Sequence, residues 1–247
     1  MKTFIPLLIM ILVFFVGKSQ PLNSVKILEK DTLQSTKGNM IITFIGHGTL
    51  MIEAGSLVIH IDPVGREADY SLLPKADFIL ITHEHGDHLD KSILPVITQT
   101  KTVTIVSESC KNLVDNSLAF VNGQNKTFGD INIEAVPAYN IVNKRADGKA
   151  YHPKGNGNGY VITYGGIKIY IGGDTENIPE MANLKQIDVA FLPMNLPYTM
   201  TPQMAADAAR IFMPVILYPY HFGETNPQLL IDLLKDTTIK VRVRKMK

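Results

Sequence analysis

Between Thr82 and Asp90 the chain reads THEHGDHLD, which gathers three of its seven histidines and three carboxylates in one short stretch. Neutral imidazole and carboxylate are ordinary ligands of zinc, and the same set suits manganese or iron. Residues two apart in extended backbone point the same way, so His83 and His85 can reach one ion. Gly86 permits a sharp turn, after which Asp87 and His88 fall near a helix start and can face a second ion beside the first. The cluster follows ADFILIT, an unbroken apolar run of strand length. Two other such runs end alike, IKIYIGG at Asp174 and PVILYPY at His221. Loops at the carboxyl ends of strands are where a rigid scaffold presents ligand groups. Three strands delivering His or Asp to one point outweigh the reading of HEHGDH as a solvated charged loop. Asp174 can place one oxygen on each of two ions. Paired ions about 3.5–4 Å apart can activate a shared hydroxide and stabilise a developing oxyanion.

The elements that must position these residues are legible from Met40 onward. MIITFIG, TLMIEAG and SLVIHIDP are short apolar or alternating runs broken by Gly and Ser, the pattern of an antiparallel meander. TVTIVSE, INIEAVPA, YVITYGG, IKIYIGG and IDVAFLPMN add strands, with a hairpin turn at Gly165 and Gly166. Tyr139 to Gly159 is rich in Asn, Gly and Lys without apolar period, so it is expected as a long functional loop. Thr201 and Pro202 open PQMAADAARIF as N-cap and first helical residue. The terminal KVRVRKMK alternates like an edge strand. A meander followed by strands alternating with helices recurs in each half of the chain. Two mixed sheets packed face to face with outer helices satisfy that pattern.

Composition narrows the function classes. The 247 residues are 45% hydrophobic and 19% charged with formal net charge +1, ordinary for a globular α/β enzyme. No basic cluster outside the C-terminal tail supports a nucleic-acid role. Residues 1–20 pair Lys2 with an uncharged apolar run from Thr3 to Gly17, shorter than the roughly 20 residues of a membrane span. They are expected to be a signal peptide that exports the protein to the periplasm or medium and leaves no stable membrane span. An uncleaved anchor is the alternative. Residues 21–39 form a leader whose structure the pattern leaves open, and 40–247 the folded domain. Cys110 is the only cysteine, which excludes a lipidated cysteine after the apolar run and a disulfide within one chain.

THEHGDHLD, GGDT and YPYHFG resemble the signature segments of the metallo-β-lactamase superfamily over roughly Met40 to Gly223. FIGHGTLMIEAG followed by IHIDPVG resembles its branch of ascorbate-6-phosphate lactonases and N-acylphosphatidylethanolamine phospholipase D. The resemblance implies an α/β fold, a four-layer αβ/βα sandwich of two mixed β-sheets with outer helices. It implies two divalent metal ions, zinc first, with manganese or iron as alternatives. His83 and His85 would hold the first ion and Asp87, His88 and His221 the second, with Asp174 bridging. One position departs from the pattern. A third histidine is expected where VPAYN places Asn140, and His152 in the long loop is the unused histidine that could complete the first site. Asn140 oxygen or water is the alternative ligand there.

His47, between two glycines, is a candidate proton donor or substrate contact, or else a turn histidine. The resemblance puts Asp62 beside the metals, orienting a histidine, although Asp-Pro also starts turns. His60 is expected to be structural, Glu84 and Asp90 to face away, and Tyr139 and Tyr198 to shape a pocket. The expected activity is metal-dependent hydrolysis of a small-molecule ester, lactone or phosphodiester, with Asp87 orienting the hydroxide and shuttling its proton. Many class B β-lactamases carry Cys where Asp174 stands. A β-lactam hydrolase is one alternative, and a non-catalytic metal-binding interaction protein with a degenerate first site is another.

Overall fold

The structure, a computed structural model, describes residues 27–247; the expected signal peptide at 1–20 lies outside the described residues. In the first sheet β1 (Glu29–Ser35), β2 (Gly38–Gly46), β3 (Thr49–Ala54) and β4 (Leu57–Ile61) run antiparallel. β5 (Phe78–Ile81), β6 (Val103–Ser107) and β7 (Leu118–Phe120) then extend it in parallel. The second sheet repeats the plan. β8 (Asn125–Phe128), β9 (Ile131–Ala138), β10 (Gly157–Tyr164) and β11 (Ile167–Ile171) are antiparallel, and β12 (Val189–Pro193), β13 (Ile216–Tyr220) and β14 (Lys240–Val241) parallel. Both sheets are mixed and seven-stranded, in sequential strand order.

The core lies between them. Ile42, Phe44, Leu50, Ile52, Phe78 and Leu80 of the first sheet meet Ile131, Ile133, Tyr160, Ile162, Ile169 and Ile171 of the second. The Phe44 and Tyr218 rings, 4.9 Å apart, join the layers. Each such buried side chain contributes roughly 1.5–3 kcal/mol of hydrophobic stabilisation. β5 explains its own unbroken apolar run. Phe78 and Leu80 enter the interlayer core, while Ile79 and Ile81 pack with Ile45, Met51 and Val106 on the other face. Cys110 belongs to that second cluster, and burial pushes its thiol up to about 11.

Helices cover the outside. α1 (Leu94–Ile97) is a single turn, followed along the chain by α2 (Pro202–Phe212) and α3 (Gln228–Leu234). Thr201 caps α2 by accepting from Met204 N–H at 3.0 Å, as its sequence predicts. Phe212 of α2 packs edge-on against Tyr170, whose position between Ile169 and Ile171 puts it on the outer face of β11. The expected αβ/βα sandwich is the fold that forms.

Two segments differ from expectation, and a third settles what the pattern left open. The open leader supplies β1, which pairs along its whole length with β2. The long loop ends at Asn156, because Gly157–Gly159 pair with Val136–Ala138 and start β10. The terminal KVRVRKMK contributes only Lys240 and Val241 as strand; Arg242 N–H still bonds Leu217 O of β13 at 2.9 Å, and the Arg242 and Arg244 side chains clasp Asp31 of β1.

Candidate metal centre

The ends of β5, β11 and β13 and the β2–β3 turn converge. β11 is followed by Gly172 and Gly173 before Asp174, and the second glycine is required. Its φ is +63°, and a Cβ there would lie 2.8 Å from the Asn158 carbonyl oxygen. In the β2–β3 turn a Cβ on Gly48 would lie 2.7 Å from His88 Cε1, so the turn can press directly on that ring. His47 (φ 50°), Asp62 (φ 45°) and His221 (φ 47°) all hold left-handed backbone, a cost of roughly 1–2 kcal/mol each. Such strain persists where surrounding structure over-determines it, characteristically at functional sites.

The ligand atoms fall into two groups, each within 4.8 Å internally: His83, His85, His152 and Asp174, and His47, Asp87, His88 and His221. Asp174 stands between them. Its Oδ2 is 3.2 Å from His152 Nε2 and 3.8 Å from His83 Nε2, and its Oδ1 is 3.3 Å from His88 Nε2 and 3.5 Å from His221 Nε2. Asp87 Oδ2 lies 3.3 Å from His47 Nε2 and 3.5 Å from His221 Nε2. His88 Nε2, His221 Nε2 and Asp174 Oδ1 are buried without any hydrogen-bond partner. Buried polar atoms facing one another without partners are costly unless a cation occupies the space between them. The donor set therefore fits divalent metal.

Neighbouring residues aim the ligands. Asp62, fully buried at the end of β4, accepts from His88 Nδ1–H at 2.8 Å, which turns His88 Nε2 toward Asp174. Thr82 donates to the same carboxylate through its N–H at 2.8 Å and its hydroxyl at 2.7 Å, and its Oγ1 is 3.0 Å from His83 Nδ1. Asn140 does not face the cluster. Its Oδ1 accepts from His152 N–H at 2.7 Å and His152 Nδ1–H at 2.8 Å, and His152 Nε2 lies 3.2 Å from His85 Nδ1. His152 thus occupies the place where the sequence pattern leaves a gap, and Asn140 stands behind it. Asp87 and His88 sit in a single turn rather than a helix start. Leu89 N–H bonds His85 O, and Asp90 then diverts the chain by accepting from Ser92 and Gly65 N–H.

Electrostatics follow from these contacts. Burial pushes the Asp174 carboxyl up, but the adjacent His221 and His88 outweigh it and hold it well below the usual carboxylate range. Asp87 is likewise lowered against burial, by its bonds to His221 and His47. Burial raises Asp62. His88 lies well above the ordinary histidine value because Asp174 and Asp62 outweigh its burial, while burial drives His83 well below it.

Outside the ligands a cleft of about 370 Å³ is lined by His85, Asp87, Arg145, Tyr151, Asn195 and Tyr198 among others. Arg145 lies over the Tyr151 ring at 5.0 Å, and Tyr151 meets Tyr198 edge-on at 5.2 Å. Tyr198 is at the mouth as expected. Tyr139 is not; it is buried, and its hydroxyl donates to Glu180. His60 is fully buried with Nε2 on Pro74 O, a structural histidine. Sequence reasoning missed Thr82 and Glu176. Thr82 adjoins the motif, but its use depends on Asp62 lying across from it.

Residues 41–221 match the model of the Beta-lactamase superfamily domain. A UPF0173 metal-dependent hydrolase of Thermococcus kodakarensis is 29% identical over 194 residues, spanning 75% of this chain and 86% of its own. One from Nanoarchaeum equitans is 32% identical, spanning 74% and 84%. A crystal structure of a candidate metal-dependent hydrolase from Parabacteroides distasonis is 46% identical with TM-score 0.86, covering 90% of this chain and all of the other. Igni18, a metallo hydrolase from Ignicoccus hospitalis, shares the fold at TM-score 0.69 and 23% identity, covering 84% and 95%. With its fold, its paired ligand groups and these relatives, the chain belongs to the metallo-β-lactamase superfamily as one of its metal-dependent hydrolases.

Proposed function

We propose that the protein hydrolyses a small anionic ester, lactone or phosphodiester with two divalent ions, zinc first, one in each ligand group. The observation that carries this reading is Asp174, whose two oxygens face different groups. His83, His85 and His152 would hold one ion and Asp87, His88 and His221 the other, with Asp174 facing both groups. Such ions supply Lewis acidity and lower the pKa of water toward neutrality. The chain's own residues supply the proton path. Asp87 Oδ2 accepts a proton from the attacking water, and His47, 3.3 Å away and partly exposed, passes it on toward the leaving group. Asn195 and Tyr198 line the cleft and orient the substrate. Arg145 at its mouth has no carboxylate partner within ion-pair distance among the described residues, which favours a substrate carrying negative charge.

Metal analysis of the mature protein tests the centre, and a panel of lactones, phosphodiesters and β-lactams with defined metals tests the chemistry. Two equivalents of metal, chelator-sensitive turnover and preference for the anionic lactones or phosphodiesters are expected. Turnover of β-lactams alone would shift the reading to the class B-like alternative, and stoichiometric metal without turnover of any member would favour a binding protein. Export belongs to the same proposal. Its support is the charge and apolar pattern of residues 1–20, and N-terminal sequencing of the secreted chain checks it.

A further inference from the structure

Glu176 is fully buried two residues after Asp174, and no role described so far uses it. Its carboxylate gathers four N–H donors from one loop. Oε2 accepts from Ile141 and Val142 N–H, and Oε1 from Asn143 N–H, each at 2.7 Å, while Asn140 Nδ2 adds a bond to Oε1 at 3.2 Å. Successive backbone amides converging on an anion form a nest, and in a buried setting these charge-assisted bonds are strong.

The consequence runs through Asn140. Its Nδ2 also donates to Tyr198 O at 2.9 Å, and its Oδ1 accepts from His152 N–H. A backbone N–H can only donate, so the amide oxygen must face His152. A carboxylate and a carbonyl can only accept, so the NH₂ must face Glu176 and Tyr198. With Oδ1 held there, His152 Nδ1 carries the hydrogen, and Nε2 keeps its lone pair toward His85 and Asp174.

We propose that Glu176 is a positioning residue whose carboxylate locks the Asn140 amide, fixes the tautomer and direction of His152, and so governs occupancy of the first metal site without touching the metal. The inference rests on the two-ion reading above. The second group does not share this chain of bonds, because His88 is held by Asp62 instead.

The test is Glu176→Gln in the full chain, with zinc and cobalt titrations, metal-to-protein ratio after dialysis and the cobalt absorption spectrum as readouts. Whichever way the Gln amide turns, its NH₂ faces two N–H donors. Affinity for one ion should fall about 10–100-fold, with the second ion's spectrum and affinity unchanged. Asn140→Ala, which keeps the three backbone bonds to Glu176, should give the same selective loss and serves if the Gln variant does not fold. Nitrogen NMR of the metal-free wild type should show His152 protonated at Nδ1. Wild-type affinity for both ions in the folded variants, equal loss of both ions, or an Nε2–H His152 would overturn the proposal. Wild-type protein holding fewer than two ions would instead overturn the two-ion reading beneath it.

Discussion

The two candidate ligand groups meet at Asp174, yet different parts of the chain hold them. In the group of His47, Asp87, His88 and His221, the central imidazole is backed by the fully buried Asp62 carboxylate, and the His221 N–H bonds back to His47 O at 3.1 Å. Its members come from strand ends and tight turns. In the group of His83, His85 and His152, the third imidazole arrives from the 139–156 loop and is backed by the neutral Asn140 amide. Sites built on strands and tight turns hold geometry more closely than sites on loops. On the two-ion reading the first ion is therefore expected to be the weaker one, and the loop that supplies His152 also carries Arg145 and Tyr151 to the cleft.

Removing the shared ligand is the largest perturbation. Asp174→Ala should strip both ions and lower hydrolysis by roughly 10³-fold or more, about 4 kcal/mol. Retention of either ion at wild-type affinity, read by metal analysis, would break the picture of a common bridge.

A reciprocal pair sharpens the asymmetry. His152→Ala should remove the first ion alone, leaving one equivalent per chain. Asp62→Asn should weaken the second by about 10–100-fold, since His88 loses its carboxylate partner. Titration calorimetry that found the same ion lost in both variants would erase the distinction.

Arg145→Ala probes the loop side more gently. KM for anionic substrates should rise about tenfold, or about 1.4 kcal/mol, with kcat and metal content unchanged. A matched neutral substrate should show no change, and an equal effect on both would remove charge recognition from the loop.

The smallest effect lies away from the site, at the clasp between sheets. Asp31 accepts from Arg244 at 2.7 Å and also bonds Arg242 and Tyr218. Burial pushes its carboxyl up, but Arg244 and Tyr218 outweigh burial and hold it below the usual range. A lowered folded pKa contributes stability that is present above the unfolded value and lost as pH falls through the folded one. Asp31→Asn should therefore cost about 1 kcal/mol at neutral pH, with the gap to wild type closing as pH drops below about 4. Both ions should stay bound, and denaturant curves across pH with parallel metal analysis check this.

The sequence by itself determined the sandwich and pointed to the candidate ligands. Residue type and local period are readable in one dimension: the HxHxDH spacing, the apolar runs ending at Asp174 and His221, and the two meanders all express contacts between chain neighbours. It also exposed the gap at Asn140. Only the tertiary structure decided how that gap is filled, and it did so through residues that pack together from far along the chain. His152 lies twelve positions beyond Asn140, and Glu176 thirty-six. β1 was hidden in a polar stretch because its pairing with β2 and the Asp31 clasp come from partners elsewhere, not from its own alternation. Ligand identity is a local property of side chains. Ligand orientation is a property of the hydrogen-bond partners behind them, and the fold alone brings those together.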